Sequence, residues 1–377
     1  YWSLTPKPAG EGLSFRVQHG FGRSSFETRF RRISSTLTVS GALDDKVKWY
    51  GVKLRNGGTN DRKLELCFYA ELLMGVVRDD SFRFVNTSFD RSTETLCAVN
   101  YFNNEFAGRV MVVGSSEPVA GYTGSRLEFL GRNGSLSRPA ALERAALVPF
   151  FMPKPRPLKL AGRTEPGIDP CAALQVSITV PAGAEYELCF YIAEGSSLEQ
   201  ARQLAGRVRS IRARSTEALR VESWWRDLLT TVQVETPSPS FDLLMNGWLL
   251  YQTVSCRMFG RSAFYQSGGA YGFRDQLQDS LALLPIRPEF VREQILLHAT
   301  RQFREGDVQH WWHPPTGRGV RTRITDDLLW LPYAVARYIE TTGDQGILDE
   351  RAPYLEGAPL ADGQMENYFV PERSGAQ

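Results

Sequence analysis

The first half of the chain alternates hydrophobic and polar residues with a period of two. Side chains at alternate positions of a strand lie on the same face of a sheet, so this spacing is typical of strands with one buried face. The cleanest run covers residues 64–72, where Leu64 and Leu66 alternate with Glu65 and Cys67. Further strands are predicted at residues 15–17, 26–30, 37–40, 47–54, 110–113, 174–180 and 186–192. Turn residues separate these runs, and together they predict a large antiparallel β-sandwich over residues 1–196.

After Gly195 the period changes to that of a helix. Ser197 and Gln200 have the spacing of a capping box, in which both side chains bond the first free amides of a helix. A second helical run covers residues 217–233, so residues 197–237 are predicted to form a helical linker. One face of the first helix is predicted to consist of Leu198, Ala201, Ala205 and Val208.

The remaining residues, 238–377, are predicted to be largely helical. Thr325 is placed to cap the last of these helices, Gly343 to end it and Pro332 to kink it. The segments between the helices are predicted to be loops. The fold class is therefore multidomain, β then α. The helical runs cover residues 241–258, 276–284, 289–304 and 326–342.

Composition removes several classes of function. Lys plus Arg number 44 and Asp plus Glu 42, a formal net charge of +2 that is too balanced for a nucleic-acid binder. No stretch approaches the roughly 18 apolar residues of a membrane span, so no direct membrane contact is expected. The five cysteines have no CxxC spacing, and residues 1–6 do not resemble a signal peptide. These features favour a cytoplasmic location without a disulfide framework.

Residues 265–279 form the first candidate site. The segment contains three glycines, which let a backbone approach a ligand closely, and then Tyr271, Arg274, Asp275, Gln278 and Asp279. Sugar hydroxyls both donate and accept hydrogen bonds, so planar polar groups beside an aromatic ring suit them. The alternative is structural: Arg274 pairs with Asp279, and Asp275 caps a helix.

Residues 307–319 form the second candidate site. Trp311 and Trp312 offer flat apolar faces on which a sugar ring packs well, and Gln309 and His310 precede them. The alternative is that the aromatic rings fix a loop to the core. Asp326 and Asp327, which follow this segment, are typical of the first turn of a helix. No metal is expected, because the histidines lack the spacing of the helical zinc motifs.

No nucleophile elbow, phosphate loop or dinucleotide motif occurs in the sequence, which disfavours serine or cysteine hydrolases and nucleotide enzymes. Eight runs in order resemble glycoside hydrolase family 94, the β-glucan phosphorylases. They are residues 2–6, 128–134, 169–175, 272–279, 307–314, 325–332, 354–357 and 371–374. The run 267–270 is most similar to enzymes acting on β-1,2-glucans, including the phosphorylase-like region of cyclic β-1,2-glucan synthases. Cellobiose-type members tend to have an arginine where Gly269 stands.

The resemblance implies an inverting phosphorolysis without a cofactor. Inorganic phosphate is the co-substrate, a β-glucan oligosaccharide is the partner, and the products are α-glucose 1-phosphate and a shortened glucan. By resemblance, Arg274 and Asp275 hold hydroxyls of the transferred glucosyl unit, and residues 309–313 form a wall of the pocket. A homodimer is among the assemblies that the family implies.

One departure concerns the general acid. The family uses the aspartate of a Trp-Asn-Asp motif, which this sequence lacks, so the acid and most phosphate-binding residues are expected beyond Gln377. The twelve helices of an (α/α)6 barrel, at about 11 residues each plus loops, need upwards of roughly 200 residues. The 140 residues from Ser238 to Gln377 are then an incomplete barrel. Two alternatives stay open: a non-catalytic glycan-binding module, and a hydrolase of the same clan. The parent protein's further regions, including any membrane attachment, are also left open.

Overall fold

The computed structural model describes the whole chain except residues 76, 104, 105, 107, 144–158, 263–268 and 376–377. The first predicted site segment thus lies partly outside the described residues, from Tyr265 to Gly268. The chain divides into two compact units, Tyr1–Ser223 and Trp224–Gln377. This division falls inside the predicted helical linker, and the three-part domain scheme stays a prediction.

The first unit is the predicted antiparallel sandwich. One sheet has eight strands in the order β1-β2-β3-β4-β11-β8-β7-β6, and a second has three in the order β5-β10-β9. Leu96 and Leu188 of the large sheet share a core with Leu174 and Val176 of the small one. The strands are β1 (Phe15–Gly20), β2 (Arg23–Phe30), β3 (Ile33–Gly41), β4 (Val47–Asn56), β5 (Arg62–Glu71), β6 (Val85–Asp90), β7 (Thr95–Asn100), β8 (Val110–Ser115), β9 (Gly121–Ser125), β10 (Pro170–Val180) and β11 (Glu185–Gly195).

Every strand predicted from period two is present. Strand β5 is covered on both faces, because Tyr69 on its second face stacks on Phe129 with ring centres 4.5 Å apart. Phe129 lies in one of the short helices among the described residues of this unit, which are α1 (Arg78–Ser81), α2 (Arg126–Leu130) and α3 (Ala140–Glu143).

Two longer helices follow the sandwich strands, α4 (Leu198–Val208) and α5 (Ile211–Leu229). The serine half of the capping box is confirmed, because the Ser197 hydroxyl accepts from the Gln200 amide at 3.2 Å. The Gln200 side chain accepts at 2.5 Å from the amide of Ser196, the residue before the cap, and not from that of Ser197. The predicted buried face is wrong at Leu198, which is 41% exposed, and Leu204 is buried instead. Leu198 is the first helical residue and so precedes the turn that the sheet covers.

The second unit begins inside α5, at Trp224, and continues with α6 (Pro239–Leu243) and α7 (Leu249–Gln252). A π-helical stretch follows each of these two helices, so that the backbone is helical from Pro239 to Phe259. The later helices are α8 (Phe273–Ser280), α9 (Pro288–Ala299) and α10 (Asp327–Thr342). The N-cap of α10 is Asp326, not Thr325 as predicted, and it makes no side-chain cap bond. Gly343 ends α10 at φ +73° as predicted, and the helix continues through Pro332.

The tryptophan-rich segment is a β-hairpin, so the prediction of a loop was wrong. A four-stranded sheet has the order β12-β13-β14-β16, and a two-stranded sheet joins β15 to β17. Aromatic side chains pack well on a pleated surface, which explains why this segment is extended. The strands are β12 (Tyr271–Gly272), β13 (Gln309–His313), β14 (Arg318–Thr322), β15 (Leu355–Glu356), β16 (Glu366–Phe369) and β17 (Glu372–Arg373).

Candidate functional site

The two predicted site segments meet at the pairing of β12 with β13. Tyr271 lies opposite Trp312 and Gly272 opposite Trp311. The rings of Tyr271 and Trp312 stack with centres 5.2 Å apart and planes 9° apart. The start of α8, which carries Arg274 and Asp275, is therefore fixed beside the aromatic hairpin.

Gly272 is required at this junction. A Cβ atom there would collide with the carboxylate of Asp275, so a larger residue would push the carboxylate away. The Gly272 amide donates to the side chain of Gln276, which is fully buried and donates in turn to the Arg257 carbonyl at 3.4 Å. Sequence reasoning missed Gln276, because a glutamine in a helix is ordinarily exposed.

The ion pairs differ from the predicted alternative. Arg274 pairs with Asp326 at 2.8 Å, and its guanidinium lies 5.4 Å from the Trp330 ring centre. Asp279 pairs with Arg257 at 2.6 Å. The prediction of an ion pair between Arg274 and Asp279 is therefore wrong.

The helix-capping alternative is wrong for Asp275 as well. The N-cap of α8 is Gly272, and no side chain caps it. The predicted residue Gln278 accepts from Arg274 Nε at 3.3 Å, so it helps to orient the guanidinium beside Asp275.

Asp275 lies in a mixed electrostatic field. Burial raises the pKa of its carboxyl, the positive charge of Arg257 opposes that shift, and the negative charge of Asp279 adds to it. A carboxyl group of this kind can accept a hydrogen bond from a sugar hydroxyl, and it donates one when protonated.

His310 is held by a buried carboxylate. Its Nδ1 lies 2.7 Å from Asp327 Oδ2, and the Asp327 side chain is 1% exposed whereas that of His310 is 32% exposed. The hydrogen bond to Asp327 raises the pKa of His310, burial opposes the shift, and the charges of Asp327, Asp275 and Asp326 reinforce it. The site therefore favours an imidazolium. Sequence reasoning treated Asp327 only as a first-turn charge.

The nine predicted site residues comprise buried side chains and side chains that are at least partly exposed. Gln309 and Trp312 are each 1% exposed, and Gln309 Nε2 donates to the Gly317 carbonyl at 2.8 Å. These two side chains fix the hairpin to the core, which is the alternative that the sequence left open. Trp311 is partly exposed and packs against Tyr368 with ring centres 5.3 Å apart. The remaining predicted side chains, which are partly or fully exposed, are Tyr271, Arg274, Asp275, Gln278, Asp279 and His310.

Within the described part of the chain, no group of three or more His, Cys, Asp or Glu residues is arranged to hold a metal ion. None of the helices described is both long and apolar enough to cross a bilayer.

Comparisons with known proteins match the chain along nearly its whole length. The family model of the glycosyl hydrolase 94 supersandwich domain matches residues 1–211, and that of the glycosyl hydrolase 94 superfamily catalytic domain matches residues 224–365. A cyclic beta-(1,2)-glucan synthase, NdvB, of Rhizobium meliloti is 40% identical over 98% of this chain and 13% of its own length.

More distant relatives include an N,N'-diacetylchitobiose phosphorylase of Vibrio proteolyticus, 22% identical over 95% of this chain and 47% of its own. A bacterial glucoamylase complexed with acarbose has a similar fold, with a TM-score of 0.53 at 10% identity, over 91% of this chain and 51% of that one. The chain thus spans between 13% and about half of the length of these proteins.

Proposed function

The chain belongs to glycosyl hydrolase family 94, and from that premise we propose that the surface around Arg274 and Asp275 binds the terminal glucosyl unit of a β-glucan for transfer to inorganic phosphate. The observation that carries the proposal is the pairing of β12 with β13, because it brings the start of α8 beside His310 and Trp311.

Five of the exposed or partly exposed groups have a role in this proposal. Arg274 and Gln278 donate and accept at the sugar hydroxyls, and Asp275 accepts a hydroxyl proton in a hydrogen bond. The exposed face of Trp311 packs against the CH face of the ring. With Nδ1 of its ring bound to Asp327, His310 is proposed to hydrogen-bond a sugar hydroxyl through the other ring nitrogen.

The chemistry needs only one carboxylic acid. Inverting hydrolysis uses a second carboxylate to activate water, whereas phosphate is already an anion and attacks directly. A phosphate oxygen bonds to the anomeric carbon as the glycosidic bond breaks, and the leaving oxygen takes a proton from the general acid. Since the sequence has no Trp-Asn-Asp motif, we place the acid and most phosphate contacts beyond Gln377.

The substrate class proposed is a β-1,2-glucan. Support comes from the 40% identical relative, which is named as a cyclic beta-(1,2)-glucan synthase. The full-length protein, given β-1,2-glucan oligosaccharides and phosphate, is expected to release glucose 1-phosphate. Absence of that product with every β-glucan tested would overturn the proposal, and release of free glucose would indicate a hydrolase.

A binding experiment tests the residues. Arg274→Gln and Asp275→Asn are each expected to remove charged hydrogen bonds of about 1.5–3 kcal/mol, so affinity for the oligosaccharide falls about ten- to 150-fold by calorimetry. Arg337→Gln is a matched control, because Arg337 is 50% exposed with one ion pair at 2.7 Å, against 49% and 2.8 Å for Arg274. Equal losses in Arg274→Gln and Arg337→Gln would refute the assignment.

A non-catalytic glycan-binding module is the second candidate, favoured by the missing Trp-Asn-Asp motif. Oligosaccharide binding by the full-length protein without any phosphate-dependent product would support it. The proposal also includes a cytoplasmic location and a homodimer, which cell fractionation and light scattering test.

A further inference from the structure

The four-stranded sheet of the second unit has an aromatic surface on its outer face, which is the face opposite the buried Trp312. Strand pairing places one residue of each strand in a row on this face: Gly272, Trp311, Val320 and Tyr368. The rings of Trp311 and Tyr368 lie with centres 5.3 Å apart and planes 38° apart. Val320, which lies between them in the row, is 4% exposed, so the two rings close over it. The outer face therefore carries a continuous apolar surface.

Polar groups without a partner border this surface. Tyr368 is 49% exposed, and its hydroxyl makes no hydrogen bond within the described part of the chain. The guanidinium carbon of Arg318, on the same face, lies 5.8 Å from the centre of the Tyr368 ring. No carboxylate among the described residues pairs with Arg318, whereas Arg321 on the opposite face has two such partners, at 2.6 and 3.1 Å. The donors at the edge of the surface are thus available to a ligand.

A flat apolar surface with hydrogen-bond donors at its edge suits a sugar ring. The CH face of a pyranose packs on aromatic rings, while its hydroxyls accept from a guanidinium and exchange hydrogen bonds with a phenol. A purely apolar partner fits less well, because it would desolvate the Arg318 cation and the Tyr368 hydroxyl without pairing either of them.

We propose that the outer face binds the sugar units that follow the terminal unit of the glucan, and that Tyr368 is a specificity-determining residue for oligosaccharides. The row that contains Tyr368 begins at Gly272, the N-cap of the helix that carries Arg274 and Asp275. Trp311 belongs to both surfaces, so a chain whose terminal unit packs on Trp311 continues onto Tyr368 and then past Arg318. The inference rests on the proposed function, because it takes the terminal unit to lie at Arg274 and Asp275.

Calorimetry on the full-length protein compares two ligands. A β-1,2-linked tetrasaccharide of glucose reaches both surfaces, whereas methyl β-glucoside has a single sugar unit and is measured by competition. Tyr368→Ala is expected to weaken tetrasaccharide binding about two- to twelve-fold, the strength of an aromatic packing contact, and to leave methyl β-glucoside binding unchanged. Arg318→Gln is expected to act in the same direction as Tyr368→Ala. Arg274→Gln, by contrast, is expected to weaken the binding of both ligands.

Two further variants serve as controls, and thermal unfolding checks that each variant is folded. Tyr368→Phe keeps the ring and loses the hydroxyl, so it is expected to bind the tetrasaccharide almost as tightly as the natural protein does. Tyr101→Ala is the matched control, because Tyr101 is an exposed tyrosine of the first unit and belongs to neither surface. It is expected to bind both ligands normally.

The same tetrasaccharide affinity in the natural protein, Tyr368→Ala and Arg318→Gln would overturn the inference and make the outer face a packing surface. Equal losses for the two ligands in Tyr368→Ala, or equal losses in Tyr368→Ala and Tyr101→Ala, would also overturn it. The proposed function fails in a different way. Normal binding of both ligands by Arg274→Gln, with tetrasaccharide binding weakened in Tyr368→Ala, supports the outer face and counts against the site at Arg274. A natural protein that binds neither ligand would overturn both.

Discussion

Asp307→Asn is the most direct test of how the hairpin is held. Arg321 on β14 is 1% exposed, and Asp307 receives two of its N–H groups, each at 2.6 Å. Arg321 also donates to the carbonyls of Gly357 at 3.0 Å and Ala358 at 3.2 Å, and it lies 3.9 Å from a phenylalanine ring centre. Asparagine has the shape of aspartate, but it cannot accept both N–H groups and leaves the buried cation without its main counter-charge.

The magnitude follows from that burial. Removing one partner of a buried, hydrogen-bonded ion pair costs about 3–5 kcal/mol. Glu305→Gln supplies the control: Glu305 contacts the same guanidinium at 3.1 Å but is 52% exposed, and an exposed pair is worth about 0–1 kcal/mol. The two neighbouring substitutions are therefore expected to differ by several kcal/mol.

Hydrogen exchange measures the local effect in the full-length protein. Amides of β13 and β14 that exchange through local opening are expected to exchange about 140- to 4,000-fold faster in Asp307→Asn, at about 1.4 kcal/mol per tenfold. Glu305→Gln is expected to change the rates by less than about tenfold. Indistinguishable exchange in the two variants would refute the reasoning that the paired carboxylate holds the hairpin.

Three further measurements test other parts of the molecule. Because a hydrogen bond to Asp327 raises the pKa of His310, the His310–Asp327 pair stabilises the fold fully below about pH 6.5, and this contribution is lost as pH rises through the raised pKa. Asp327→Asn is expected to lower the pKa of His310 in an imidazole NMR titration. An unchanged pKa would contradict the pair. Burial lowers the pKa of His298 to about 4, so folding stability of about 3 kcal/mol is present above pH 6.5 and is lost as pH falls towards 4. Urea unfolding should show this loss in the natural protein and not in His298→Gln. Cys256 is the exposed cysteine, so iodoacetamide followed by mass spectrometry is expected to modify it before the three buried ones, and the reverse order would contradict the burial.

Hydrophobic periodicity predicted the sandwich strands where one face is apolar, and it missed strands β6, β7 and β9. In β7 the reason is clear: Leu96 and Ala98 pack in the core between the two sheets, whereas Cys97 and Val99 pack in a second core with helix α4. Both faces of the strand are apolar, so the alternation that marks a half-buried strand is absent.

Prediction of the site from the sequence was limited as well. The sequence identified the segments and most of the exposed polar groups, but not their partners. Arg274 pairs with a residue 52 positions away and His310 with one 17 positions away. A loop gives no reason to expect different burial for two adjacent tryptophans, whereas successive side chains of a strand lie on opposite faces of the sheet. That is why Trp312 is buried and Trp311 is partly exposed, a distinction that the prediction of a loop could not make.

The junction of β12 and β13 also determines which substitutions the candidate site tolerates. Main-chain pairing and the stacking of Tyr271 on Trp312 make this junction, so replacing the side chain of Trp311 to suit a sugar other than the proposed one leaves the spacing between α8 and the hairpin intact. Changing the length of residues 300–308 is different. A shift of one residue in β13 would exchange the inward and outward positions of Trp311 and Trp312, and the indole now buried would face solvent.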